Sequence, residues 1–249
     1  MRSRGVVAAV LAGFLLAGCA QSVDPIERLG MKAAQRVGSY GPAGRAATLP
    51  VVRRVATTDK VVFLTYDDGA ERDPRFVDLV RERRLPVSMF LTDSVVGPGY
   101  GHFARLLSVG ASIQNHTLDH PALRGLPYAG QRAEICGQQE KVRSRFGVRP
   151  TLFRPPYGTY DRTTLRAAAD CGLTAVVLWN VSMAGAEPSA GLRAGDIVSL
   201  PSGETSGESP GPTLTERTTR LLEEIRKRGL RVGRLEEYLG KTGRRAALD

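Results

Sequence analysis

From Lys60 onward, short runs of β-forming apolar residues alternate with stretches of helical spacing, six or seven times over. No other feature of the chain limits its fold as tightly. Residues 61–66 (VVFLTY) form a continuous apolar run, the pattern of a strand buried on both faces. Residues 74–84 follow with Phe76, Leu79 and Val80 at helical spacing. Strands are expected over 87–91 and 111–115, on either side of a helix over 103–109 that Gly110 stops. A charged helix over 129–146 and a short strand over 151–153 come next. Asp161 caps a helix that runs to about Cys171 and closes at Gly172. Residues 173–179 and 197–200 read as strands, 201–212 as a loop of turn formers, and 213–228 as a helix closed by Gly229. A last short strand is expected over 232–235. Serial βα units of this length require a parallel sheet, doubly wound or closed as a barrel. Functional residues then belong at the carboxyl ends of the strands.

The residues at those ends carry chemistry. Thr65-Tyr66-Asp67-Asp68-Gly69 closes the first strand. Adjacent carboxylates repel, and a cation relieves the repulsion, although Asp-Asp-Gly is equally a plain turn. His116-Thr117-Leu118-Asp119-His120 closes the third strand and holds two of the three histidines in the chain. Imidazoles four positions apart can meet one metal, and Asp68 is available as a third ligand, leaving room for water. His102 stands apart in a Gly-rich stretch and reads as a solvated histidine. Arg154-Pro155-Pro156-Tyr157-Gly158 follows the fourth strand. Its prolines stiffen the chain around an arginine that can orient a carboxylate.

These three motifs, in this order at successive strand ends, resemble the polysaccharide deacetylase family (NodB homology, carbohydrate esterase family 4). The resemblance runs from about Val61 to about Tyr238. It implies an α/β fold of distorted (β/α)7-barrel type. It also implies a divalent metal, zinc first and cobalt or manganese as alternatives, held by Asp68, His116 and His120. Asp67 would be the general base toward the attacking water, with Arg154 orienting it. Pro155, Pro156, Tyr157 and Trp179 would bind substrate, and the Tyr157 N–H would help hold the oxyanion. The implied activity is removal of acetyl groups from acetylated polysaccharide, peptidoglycan first.

Two further family motifs are altered. A Trp-x-x-Asp stretch reads Trp179-Asn180-Val181-Ser182, and a strand ending in Leu-His reads Ile197-Val198-Ser199-Leu200-Pro201. The general-acid histidine and its aspartate partner are therefore both absent. An amine leaves poorly unless protonated, and general acid catalysis is worth ~10²–10⁴-fold. The alternatives are O-deacetylation, or a catalytically impaired glycan-binding or envelope protein. Glu204 and Glu208, in the loop after Pro201, are carboxylic acids that could act instead.

The first residues, MRSRGVVAAVLAGFLLAGCA, pair Arg2 and Arg4 with a twelve-residue apolar run over 6–17. A membrane-spanning helix needs about 20 residues. The pattern is a signal peptide whose end, Leu16-Ala17-Gly18-Cys19, resembles a bacterial lipobox, which would make Cys19 the lipidated residue; the alternative is an ordinary secretory signal with a chance cysteine. The expected organisation is a signal over 1–18, a flexible tether over 19–56 with a short helix near 26–37, a NodB-like domain over 57–240 and a basic tail over 241–249. The expected location is the extracytoplasmic face of the cell membrane. The formal charge of +10 comes from 30 arginines and 5 lysines against 25 acids. These are scattered, and only 6% of residues are aromatic, so an anionic cell wall or lipid surface is favoured over nucleic acid. No protein partner is expected. Cys136 and Cys171 fall in helices expected to be neighbours. A bridge between them and two buried thiols are both consistent with an exported chain.

Overall fold

The computed structural model describes residues 49–183, 188, 191–201 and 211–239. Cys19, the 26–37 helix, Glu204, Glu208 and the basic tail lie outside the described residues. Within them the chain forms β1 (Val51–Val52), β2 (Val61–Asp68), α1 (Pro74–Arg83), β3 (Ser88–Leu91), α2 (Asp93–Val96), α3 (Tyr100–Ser108), β4 (Ser112–Asn115) and α4 (Tyr128–Phe146). It continues with β5 (Leu152–Phe153), α5 (Arg162–Asp170), β6 (Ala175–Val177), β7 (Val181–Ser182), β8 (Ile197–Leu200), α6 (Leu214–Lys227) and β9 (Arg231–Val232).

The strands lie in the order β1-β6-β5-β4-β3-β2-β8-β7, with β9 paired to the start of β2, and every ladder is parallel. The sheet is a curled half-barrel with β1 and β7 at its two ends. Beyond the ladders, an antiparallel bridge joins Arg54 to Asp196.

Burial follows the alternation of β2. Val62, Leu64 and Tyr66 pack outward with Phe76, Val80, Phe103, Leu106, Leu221 and Ile225, residues of α1, α3 and α6. Val61 and Phe63 point inward to Phe90, Leu152, Val177, Ile197 and Leu235, which fill the barrel. A third cluster seals α4 and α5 onto the sheet through Ile135, Phe153, Ala167, Ala168 and Val176. Each fully buried aliphatic or aromatic side chain contributes about 1.5–3 kcal/mol. Three of the helices, α1, α5 and α6, start at side-chain caps. The Asp73 carboxylate accepts from the Arg75 amide, and capping boxes at Asp161 with Thr164 and at Thr213 with Glu216 open α5 and α6.

Three expectations are corrected. The sheet begins earlier than residue 57, because β1 lies in the segment expected as tether and pairs with β6. The last strand is Arg231–Val232, placed by its pairing with Val61 and Val62. His102 is not solvated: it sits inside α3, 6% exposed, with its ring edge-on to Phe103. Burial, then the charges of Arg105 and Arg72, hold its pKa below the usual imidazole value. Cys136 of α4 and Cys171 at the end of α5 form a disulfide. No helix among the described residues is long and apolar enough to cross a membrane.

Candidate active site

The carboxyl ends of β2, β4, β5 and β8 bring the predicted residues to one rim. Asp67 continues the inward parity of Phe63 and Thr65. Asp68 ends the strand at φ 65°, which breaks the alternation, so neighbouring carboxylates serve different partners. Asp68 Oδ1 lies 3.1 Å from His120 Nε2 and 3.4 Å from His116 Nε2, and the two nitrogens are 3.2 Å apart. These three residues are the one His/Cys/Asp/Glu cluster among the described residues with metal-ligand spacing.

The donor set fits a cation on two independent grounds. Bonds of about 2.0–2.1 Å to a tetrahedral ion place ligand atoms about 3.3–3.4 Å apart, close to the separations here. Asp68 Oδ1 is also buried and accepts no hydrogen bond, the condition of an acceptor awaiting a positive charge. Burial alone would raise the Asp68 pKa. The neighbouring His116, then His120 and Arg154, reverse this and hold it below the usual carboxylate value. Burial, then His116, lowers the His120 pKa, which favours the neutral imidazole a metal requires. His116 Nδ1 lies 2.7 Å from the Arg154 carbonyl. A carbonyl only accepts, so Nδ1 carries the proton and Nε2 keeps its lone pair.

Arg154 serves both halves of the site. Its carbonyl orients His116, while its guanidinium, wholly buried, crosses the barrel interior. Nη1 donates to Asp67 Oδ1 at 2.6 Å and to Thr65 Oγ1 at 2.8 Å, and Nε donates to the Val177 carbonyl and Nη2 to the Leu178 carbonyl. The group stacks over Phe90 at 4.2 Å and Trp179 at 5.4 Å. Burial lowers its pKa and Asp67 opposes the shift, yet a guanidinium stays charged at any relevant pH. Ser199 Oγ donates to Asp67 Oδ2 at 2.8 Å, so both oxygens of the expected base are held.

Of the residues expected to bind substrate, Tyr157 is 65% exposed and edge-on to His120. Among the described residues nothing accepts from its N–H. Pro155 and Pro156 are buried and so do not line a groove; they stiffen the turn. Trp179 is half-buried against Arg154 and Gly158. Backbone strain gathers at the same rim. Among the described residues five non-glycine residues have positive φ, and Asp68, Thr117 (75°), His120 (58°) and Tyr157 (58°) are four of them. Thr65 and Ser199 are site residues that motif reasoning did not single out. Their signal is a polar residue at an inward position of an otherwise apolar strand. Pro201, where a histidine was expected, follows β8, and its carbonyl accepts from Arg217 Nη1. Ser182 lies in β7.

The family model described as polysaccharide deacetylase matches residues 54–176, a span that contains all three motifs. An uncharacterized protein of Streptomyces coelicolor is 64% identical over 193 residues, covering 76% of this chain and 77% of that one. The chain belongs to the polysaccharide deacetylase family. Another member, a peptidoglycan-N-acetylglucosamine deacetylase of Listeria monocytogenes, is 30% identical over 128 residues, 51% of this chain and 27% of that protein. The family 4 carbohydrate esterase PdaA of Bacillus subtilis superposes with a TM-score of 0.65 at 19% identity, over 77% of this chain and 86% of that one. That likeness shows the fold shared by deacetylases of this family, a parallel (β/α)7-type barrel.

Proposed function

We propose that this chain is a metal-dependent hydrolase that removes acetyl groups from N-acetylated, or O-acetylated, cell-envelope polysaccharide. Peptidoglycan is the nearest substrate, and a lipid on Cys19 holds the protein at the extracytoplasmic face of the membrane. The observation that carries the enzymatic reading is the convergence of Asp68, His116 and His120 within 3.4 Å of one another, beside Asp67 held by Arg154. The name of the Listeria relative supports peptidoglycan.

Asp68, His116 and His120 would hold the ion. Two imidazoles and a carboxylate suit zinc, and cobalt or manganese satisfy the same donors. When bound, such an ion supplies acidified water and a polarised carbonyl. Asp67 takes a proton from the attacking water, its carboxylate aimed by Arg154 on Oδ1 and Ser199 on Oδ2. The Tyr157 N–H donates to the oxyanion, and losing one such donor costs ~3–4 kcal/mol. The leaving group then needs a proton. With Pro201 and Ser182 in place of the expected histidine and aspartate, Asp67 returns the proton it took. An acetyl ester, whose alcohol leaves more readily, asks less of that step than an amide.

Those same two replacements favour a second reading, a catalytically impaired glycan-binding protein. Acetate release from acetylated chito-oligomers, acetylated xylan and peptidoglycan separates the two. It is measured with zinc, with cobalt and with a chelator, beside an Asp67→Asn variant. The enzyme releases acetate from at least one substrate, and chelation and Asp67→Asn each abolish the release. Tight glycan binding without acetate release from any substrate selects the second reading.

A further inference from the structure

The loop that carries both imidazoles is held from outside the site. Thr117 is β-branched, wholly buried and at φ 75°, and His120 is at φ 58°. Backbone of this kind persists only where its surroundings over-determine it. Part of the restraint is local: the Thr117 amide donates to Asn115 Oδ1 and the His120 amide to Thr117 Oγ1. The Ser94 amide on the Leu118 carbonyl, the Thr92 hydroxyl on the His116 carbonyl and the Arg154 carbonyl on His116 add to it, and the largest share comes from one stretch of α4. Glu134 Oε2 accepts from two consecutive loop amides, Leu118 at 3.1 Å and Asp119 at 3.0 Å. Asn115 Nδ2 donates to the Ile135 carbonyl at 2.8 Å and to Gln139 Oε1 at 3.3 Å. A Cβ at Gly137 would lie 2.4 Å from Leu118 Cδ1, so the Leu118 side chain of the loop packs directly onto α4 at this glycine. Cys136, in the middle of this stretch, is tied to Cys171.

Glu134 ligates nothing and makes no ion pair among the described residues. Its charge is spent on the two amides between the histidines. We propose that Glu134 is a positioning residue for the metal centre: by gripping the Leu118 and Asp119 amides from α4, it fixes the 116–120 loop so that both Nε2 atoms face Asp68. The inference rests on the metal-centre reading given above. A carboxylate is the strongest acceptor for paired N–H groups, and loss of such outer partners typically weakens metal affinity by about 10–100-fold.

The test is cobalt affinity, measured on the full chain by competition with a chromophoric chelator and read independently from the visible cobalt spectrum. All proteins carry Cys19→Ser so that no free thiol competes for the ion. Glu134→Ala should weaken binding about 10–100-fold. Glu134→Gln keeps an acceptor without the charge and should fall between Glu134→Ala and the parent. Glu140→Ala, on the same helix but exposed and paired with Arg143, should bind as the parent does. If both Glu134 variants bind cobalt as tightly as Glu140→Ala, the proposal is overturned. Should Glu134→Ala fail to fold, Glu134→Gln alone decides, and parent-like affinity overturns it. If the parent itself binds no cobalt, the metal reading fails and this inference falls with it, a result distinct from tight binding by parent and variants alike.

Discussion

At the scale of the residue, the site is an arrangement of shared partners rather than of isolated groups. Arg154 is the clearest case, since its carbonyl fixes a tautomer and its guanidinium fixes a carboxylate 87 positions away. Removing one member of a buried ion pair leaves the other without compensation, at a cost of about 3–5 kcal/mol. Arg154→Leu should therefore lower stability by about that amount in urea unfolding. A loss below about 1 kcal/mol would show that Asp67 finds a new partner. The pairs of acids and of histidines stand out in the sequence because their types and spacing are rare by chance. Thr65, Ser199 and Glu134 do not stand out. Their roles are set by partners 89, 132 and 16 positions away, and a polar residue on an inward face marks a position without naming the group it will meet across the barrel.

At the scale of the element, the longer segments and the short β5 were legible, while β1 and β7 were not. The β2 run, the Asp161 cap and the glycines that follow α5 and α6 each carry a local physical signal. The two-residue strands β1 and β7 cover a single period of alternation, too little to show a pattern, and exist only through their neighbours β6 and β8. The disulfide was open for a related reason, because two cysteines in neighbouring helices bridge only if the helices present them to each other. It spans 35 residues and ties the helix that grips the ligand loop to α5. The chain-entropy relation assigns such a loop about 3–4 kcal/mol. A Cys136→Ala, Cys171→Ala double variant should lose about that much stability by denaturant titration. An equal loss on adding reductant to the parent would tie the effect to the bond rather than to the side chains.

At the scale of the whole molecule, a metal centre with one ligand from the end of β2 and two from the loop after β4 would link ion binding to folding. Free ion at about 100 times its dissociation constant stabilises a protein by about 2.7 kcal/mol, or roughly 5–10 °C in Tm for a chain of this size. Zinc or cobalt should raise the thermal midpoint by that amount, chelation should reverse it, and Asp68→Asn should abolish the shift. Calorimetry that shows no ion-dependent shift in the parent would count against the centre. The left-handed residues on the rim carry a longer consequence. Glycine adopts those angles without strain, so glycine at the exposed position 157 would relax the backbone while slackening the aim of what it carries. A lineage chosen only for heat resistance would drift toward such exchanges and become sturdier as its chemistry faded.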